Sequence, residues 1–291
     1  VAGWQDGCLQ PLHTEVERVQ TAILMDGARL TGVAEKRILA CLAHFRDVAA
    51  RFGCRRIVAV GTSAMRQASN PESLLRAAEQ VLGWPVVILG GEEEARYIYQ
   101  AVAQDQERSR HKLVLDIGGG STELILGHGQ QIESIESLSL GCVRSLKQHF
   151  HNGALNRQAF DDSVADARGK FAAVARRFPL KPATGVIGCS GTAQAAAAVV
   201  GVERLRKNDL LQLRDRMLDR FANIGEVSFA CLDANRSSLL APGLSLLVAL
   251  FEALAVEEME LADVALREGI AIGWFRGDSR LQLPAPKGIA I

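Results

Sequence analysis

The sequence predicts an α/β protein built from two domains, on three observations. Apolar, β-branched runs alternate with segments of helical apolar spacing along the whole chain. Four of the runs end in turns rich in Gly, Ser or Thr, as strands of open α/β sheets do at their carboxyl ends. The chain has 291 residues, 48% of them apolar, which is more than one core commonly takes up.

The elements follow in order. Val33–Phe52 carries apolar residues at helical spacing (Ile38, Leu39, Leu42, Phe45, Val48, Ala49), and Gly53 stops it. Arg56–Val60 reads as a buried strand. Asn70, Pro71 and Glu72 form a helix start, with Asn as cap, Pro at the first helical position and Glu in the first turn; the helix runs to about Leu82 and Gly83. Pro85–Leu89 is a second buried strand, and Gly90-Gly91 opens a helix from Glu92 to about Gln104. The polar stretch Gln104–His111 is the expected domain junction, dividing the chain into 1–109 and 110–291, with the last helix able to pack back on the first domain. Beyond it Leu113–Asp116, Glu123–Leu126 and Gln131–Leu138 read as a three-stranded meander. Helices are expected at Val143–Phe150 and Arg157–Phe178. Gly185–Gly188 is a short strand leading into Ser190-Gly-Thr192 and an alanine-rich helix. Leu205–Arg220 and Gly243–Leu254 are helical, Glu258–Leu261 is a strand, and Ala265–Trp274 precedes a proline-containing tail.

Composition narrows the function. A formal net charge of zero gives no global field toward nucleic acid or an anionic membrane, so neither is an expected partner. Six scattered cysteines without a Cys-x-x-Cys pair fit reduced thiols in a cytoplasm. The longest apolar stretches, such as Leu244–Leu250, read as too short to span a bilayer, and no signal peptide is visible. The six histidines are dispersed, and no Gly-x-Ser-x-Gly elbow occurs, which argues against a Ser/His hydrolase.

The four turns are Val60–Arg66, Leu89–Ala95, Asp116–Glu123 and Ile187–Thr192. Glycine lets backbone N–H groups approach an anion, and a helix N-terminus adds partial positive charge. Each turn also has a plainer reading. Glu92, Glu93 and Glu94 can complement a helix dipole, Ser190 and Thr192 can cap a helix, and Arg66 can be a solvated cation. The plain reading fits Asp116–Glu123 (DIGGGSTE) least well. A hairpin turn seldom needs three consecutive glycines, and a carboxylate ending a buried strand is costly to desolvate. Carboxylates beside a phosphate cradle repel the ligand unless a cation intervenes, and Mg²⁺ reconciles the two.

These motifs, in this order, resemble the family of exopolyphosphatases and guanosine pentaphosphate phosphohydrolases. The matching stretches are Gly61-Thr62 to Arg66-Gln67-Ala68, Gly91–Arg96 with Ile98-Tyr99, and Leu115–Leu124. Ser139–Val143, Cys189–Thr192, Pro242-Gly243 and Ala265–Gly269 continue the match. The resemblance implies two ribonuclease-H-like domains of the actin, sugar-kinase and chaperone ATPase superfamily, with the active site in an interdomain cleft. It implies removal of terminal phosphate from inorganic polyphosphate or guanosine pentaphosphate with Mg²⁺ or another divalent cation, and a possible homodimer. Residue by residue, Glu94 matches the glutamate that orients or deprotonates water, with Glu93 as the alternative beside it. Asp116 and Glu123 match the carboxylates that hold the metal and position water. Gly118, Gly119, Gly120 and Ser121 match phosphate contacts, Arg66 a phosphate-neutralising cation. Ser190, Gly191 and Thr192 match a second loop, contacting another part of the polyphosphate chain or nucleotide. The family normally opens with an apolar strand ending in Asp-x-Gly-Ser-Asn, and this sequence, starting at Val1, shows no such segment. A shortened chain or a degenerate member is expected on that ground, with one edge of the first sheet open. Two other readings stay open: a non-catalytic polyphosphate or nucleotide sensor, and a kinase of the same superfamily.

Overall fold

A computed structural model describes residues 1–17, 19, 23–105 and 110–282. Contacts divide the chain into two compact units, Val1–Tyr97 with the chain from Leu266 onward, and Ile98–Ala265. This division differs from the expected 109/110 junction. Residues 106–109 of the polar stretch lie outside the described residues, as does the tail from 283.

The first unit begins with a hairpin of β1 (Ala2–Gln5) and β2 (Cys8–Pro11). Asp6 and Gly7 both have positive φ, 53° and 77°, the turn chemistry that Asp-Gly provides. A second hairpin, β3 (Met25–Asp26) with β4 (Arg29–Leu30), leads to α1 (Gly32–Arg51). Ala34, Cys41 and Val48 are its buried stripe, and Thr31 accepts from the Ala34 N–H at its start. Next come β5 (Ala59–Gly61), α2 (Ser63–Gln67), α3 (Pro71–Leu82) and β6 (Val86–Ile88), with β5 and β6 parallel. The expected strand from Arg56 is thus reduced to its last part. Asn70 stands at the start of α3 but makes no cap bond: its Oδ1 accepts from Leu30 N–H at 2.8 Å, tying β4 to this helix. Gly83, φ 72°, ends α3 in the left-handed region. The unit boundary falls inside α4 (Gly91–Asp105). The final helix, Leu266–Phe275, packs its Gly269 against the Tyr97 backbone, where any Cβ would clash. Gly269 of the Ala265–Gly269 motif therefore serves packing in this unit.

In the second unit, β7 (His111–Ile117), β8 (Thr122–His128) and β9 (Gln131–Leu138) form the expected antiparallel meander. Then follow α5 (Cys142–His149), α6 (Arg157–Val174), β10 (Gly185–Gly188), α7 (Gly191–Val200), β11 (Arg204–Arg206), α8 (Lys207–Arg220), α9 (Ala234–Leu254) and β12 (Glu258–Leu261). The six strands are ordered β11-β12-β10-β7-β8-β9, with β10 parallel to both β7 and β12.

Two expectations are corrected here. Leu205 and Arg206, expected to open a helix, lie instead in the strand Arg204–Arg206, which pairs with β12 and whose Arg204 and Arg206 reach Glu258 at 3.0 and 2.9 Å. The helix expected from Gly243 starts at Ala234, capped by Asp233, and runs through Pro242. At 21 residues it is long and apolar enough, by length and composition, to cross a membrane, unlike the stretch read from sequence; 78% of its most apolar window is buried inside the unit. It packs against α5, α6, α7 and α8 and forms the spine of the main core.

Candidate active site

The β7–β8 hairpin sets the first cluster by register. Asp116 and Glu123 are direct cross-strand partners, and Ser137 on β9 is the partner of Glu123. Residues directly opposite one another point to the same sheet face, so both carboxylates stand side by side. Glu123 is 2% exposed, and Ser137 Oγ donates to its Oε1 at 2.8 Å. Between the carboxylates the Gly118–Ser121 turn is closed by the Gly118 N–H donating to the Ser121 carbonyl at 2.9 Å.

A second loop lies beside this turn. β10 runs parallel to β7 with Gly188 opposite Leu115, and Cys189 N–H continues the ladder to the Leu115 carbonyl at 3.1 Å. Ser190 caps α7, accepting from Ala193 N–H at 3.1 Å. Thr192 Oγ1 donates to the Ile117 carbonyl at 2.9 Å, one residue before the glycine turn. Gly243 of α9 leaves room for this threonine: a Cβ there would lie 2.6 Å from Thr192 Cγ2. The hydroxyls of Ser190 and Thr192 are thus engaged within the fold. Gly191, with nothing within 4 Å of an added Cβ, presents open backbone at a helix start.

In the first unit, Arg66 on α2 and Glu94 on α4 form a close pair. Arg66 Nη1 donates to Glu94 Oε2 at 2.7 Å and to the Leu89 carbonyl at 2.8 Å. Glu94 is 8% exposed, and burial holds its carboxyl above the ordinary value against the opposing pull of Arg66. Glu93, its neighbour in sequence, has a different task. Its Oε2 accepts from Gly90 N–H at 2.7 Å, capping α4, and it pairs with Arg280.

The sequence-predicted residues therefore form two groups. Asp116, Gly118, Gly119, Gly120, Ser121, Glu123, Ser190, Gly191 and Thr192 come together in the second unit; Arg66 and Glu94 come together in the first. Ser137, Gly141 and Gly243 were not assigned a role from sequence. Gly141 and Gly243 lay inside matched motifs, but their function is steric and shows only against the partner backbone. Ser137 carried no signal beyond the alternation of its strand. Among the described residues no group of three or more His, Cys, Asp or Glu is arranged to hold a metal. A cation that keeps its waters and binds through one or two carboxylates and substrate phosphates fits the Asp116–Glu123 pair without such a group.

The Ppx/GppA phosphatase family matches residues 1–277. A curated relative from Aliivibrio fischeri (strain MJ11), guanosine-5'-triphosphate,3'-diphosphate pyrophosphatase, is 33% identical over 272 residues. The match covers 92% of this chain, and the chain spans 55% of that relative's length. Among solved structures, the Aquifex aeolicus Ppx-GppA enzyme superposes with a TM-score of 0.76 at 23% identity, covering 94% of this chain and 93% of the other. An exopolyphosphatase from Cytophaga hutchinsonii gives 0.75 at 22% identity, over 86% and 84% of the two chains. These structural likenesses carry the fold, the actin-like α/β architecture expected from sequence. The chain belongs to the Ppx/GppA phosphatase family.

Proposed function

With that family membership as premise, we propose that the chain releases terminal phosphate from a phosphoanhydride, by attack of water assisted by a divalent cation. The substrate is guanosine pentaphosphate or inorganic polyphosphate. The name of the Aliivibrio fischeri relative supports the nucleotide, and that of the Cytophaga hutchinsonii protein the polymer. The carrying observation is the placement of Asp116 and Glu123 as cross-strand partners on either side of the Gly118–Ser121 turn.

In this reading the turn binds phosphate through the backbone N–H groups of Gly119, Gly120 and Ser121, while the Gly118 N–H closes the turn on the Ser121 carbonyl. Asp116 and Glu123 would hold Mg²⁺, which when bound neutralises phosphate charge. Ser137 orients Glu123 by its hydrogen bond. Glu94 takes the proton of the attacking water, and burial raises its basicity toward that task. Arg66 supplies a guanidinium to phosphate. Gly191 contributes backbone N–H, while the Ser190 and Thr192 hydroxyls brace their loop. Phosphoanhydride hydrolysis needs charge neutralisation and a positioned water more than covalent help, and the residue types in each unit suit those tasks. Free cysteines among the described residues fit a reducing compartment, so a cytoplasmic location belongs to the proposal.

The test is phosphate release from guanosine pentaphosphate and from long-chain polyphosphate with Mg²⁺, for wild type and Glu94→Gln. Faster release by wild type on either substrate supports the reading, and the ratio of the two rates identifies the preferred one. A wild type that binds these anions but releases phosphate no faster than the variant is a sensor, and the hydrolase reading fails.

A further inference from the structure

The Gly118–Ser121 turn is held from behind by α5. Cys142 N–H donates to the Gly118 carbonyl at 2.9 Å, and Val143 and Arg144 N–H donate to the Gly119 carbonyl at 2.9 and 3.3 Å. These are first-turn donors, which have no partner inside their own helix. The glycine carbonyls therefore satisfy a standing need, and that fixes their direction. In a trans peptide the C=O and the following N–H point to opposite sides of the chain, and among the described residues there are no cis bonds. Aiming the Gly118 and Gly119 carbonyls at α5 turns the Gly119 and Gly120 N–H groups away from it. Among the described residues neither N–H finds an acceptor.

One residue admits α5 to this position. A Cβ on Gly141 would lie 2.5 Å from the Gly119 carbonyl carbon and 2.6 Å from both its oxygen and the Gly120 nitrogen. All three are backbone atoms, so no side chain can rotate out of the way. The φ of Gly141, −164°, is open to any residue. Space, not conformation, requires glycine here. Thr122 Oγ1, donating to the Leu140 carbonyl at 2.7 Å, anchors the segment just before it.

We propose that Gly141 is a positioning residue. By letting the first turn of α5 abut the glycine turn, it presents the Gly119 and Gly120 N–H groups as paired donors to a phosphate oxygen. The proposal rests on the reading of this turn as a phosphate site. An alanine at 141 pushes α5 off the turn, releases the two carbonyls and lets the peptide planes rotate.

The test is amide NMR on ¹⁵N-labelled full chain titrated with inorganic phosphate and with pyrophosphate in the presence of Mg²⁺. In wild type the Gly119 and Gly120 resonances move on titration and their hydrogen exchange slows, while Val143 N–H is protected throughout. In Gly141→Ala both responses are lost and anion affinity falls about 10- to 100-fold, the cost of losing hydrogen bonds to a charged group. Gly169→Ala, at an exposed site with nothing within 4 Å, keeps the wild-type response. An unchanged response in Gly141→Ala overturns the positioning role alone. No response at Gly119 or Gly120 in wild type overturns the phosphate-site reading beneath it. If Gly141→Ala does not fold, wild-type exchange decides: a Val143 N–H that exchanges as fast as Gly119 overturns the proposal, and a protected one supports it.

Discussion

The carboxylates of the two units are held by different means. Glu94 is a single buried acid whose charge is answered by one side chain, Arg66, at 2.7 Å. Asp116 and Glu123 are placed by strand register, with the turn between them locked by backbone hydrogen bonds to α5. A side-chain pair can be retuned by one substitution or by a ligand that takes the arginine. A backbone-set pair responds instead to the residues that shape the turn, which carry no charge. The first arrangement suits a group whose proton affinity matters; the second suits groups whose position matters.

The largest break in this comparison is Glu94→Gln. It removes the proposed base, and phosphate release falls about 10²- to 10⁴-fold while the circular dichroism spectrum is unchanged. Ser137→Ala comes next, on the other side of the comparison. Glu123 loses the hydroxyl that orients it, and the Mg²⁺ concentration for half-maximal activity rises about 10- to 100-fold.

Arg66→Gln separates the two regions by pH. Arg66 is the group that lowers the Glu94 pKa, so without it burial acts unopposed. The acidic limb of the kcat/KM profile then moves to higher pH, and a limb that stays in place refutes the pairing. The same shift has a stability consequence. Because the folded pKa of Glu94 is raised above its ordinary value, the stability it contributes is present below that value and is lost as pH rises through the folded pKa. The melting temperature of Glu94→Gln relative to wild type should therefore increase as the pH is raised above the ordinary glutamate value. The smallest effect is Gly169→Ala, at an exposed position of helix α6, which stabilises that helix by about 0.5–1 kcal/mol and leaves activity unchanged.

Much of this was legible in the residues. DIGGGSTE behind an apolar run read as a strand, a glycine turn and a second strand, and Asp116 and Glu123 stand at its two ends as read. Gln131–Leu138, Gly185–Gly188 and Glu258–Leu261 have the limits their apolar runs implied. Other features were not legible because they depend on distant partners. Glu93 and Glu94 are indistinguishable as neighbours in a string of acids, yet one caps α4 and the other meets Arg66. Asn70 looked like a helix cap and instead binds the backbone of Leu30. The helix read from Gly243 starts at Ala234 and carries Pro242 inside it, because the surrounding helices bury α9 and outweigh the lost hydrogen bond.

By itself, then, the sequence determined the α/β class, the order of most elements and the residue types of the candidate site, since these follow from local periodicity, turn chemistry and motif order. Tertiary structure alone decided which glutamate meets the arginine, which hydroxyls brace the loops and why residue 141 must lack a side chain. Those outcomes turn on approaches of a few ångströms between segments far apart in the chain, and no local pattern encodes such distances.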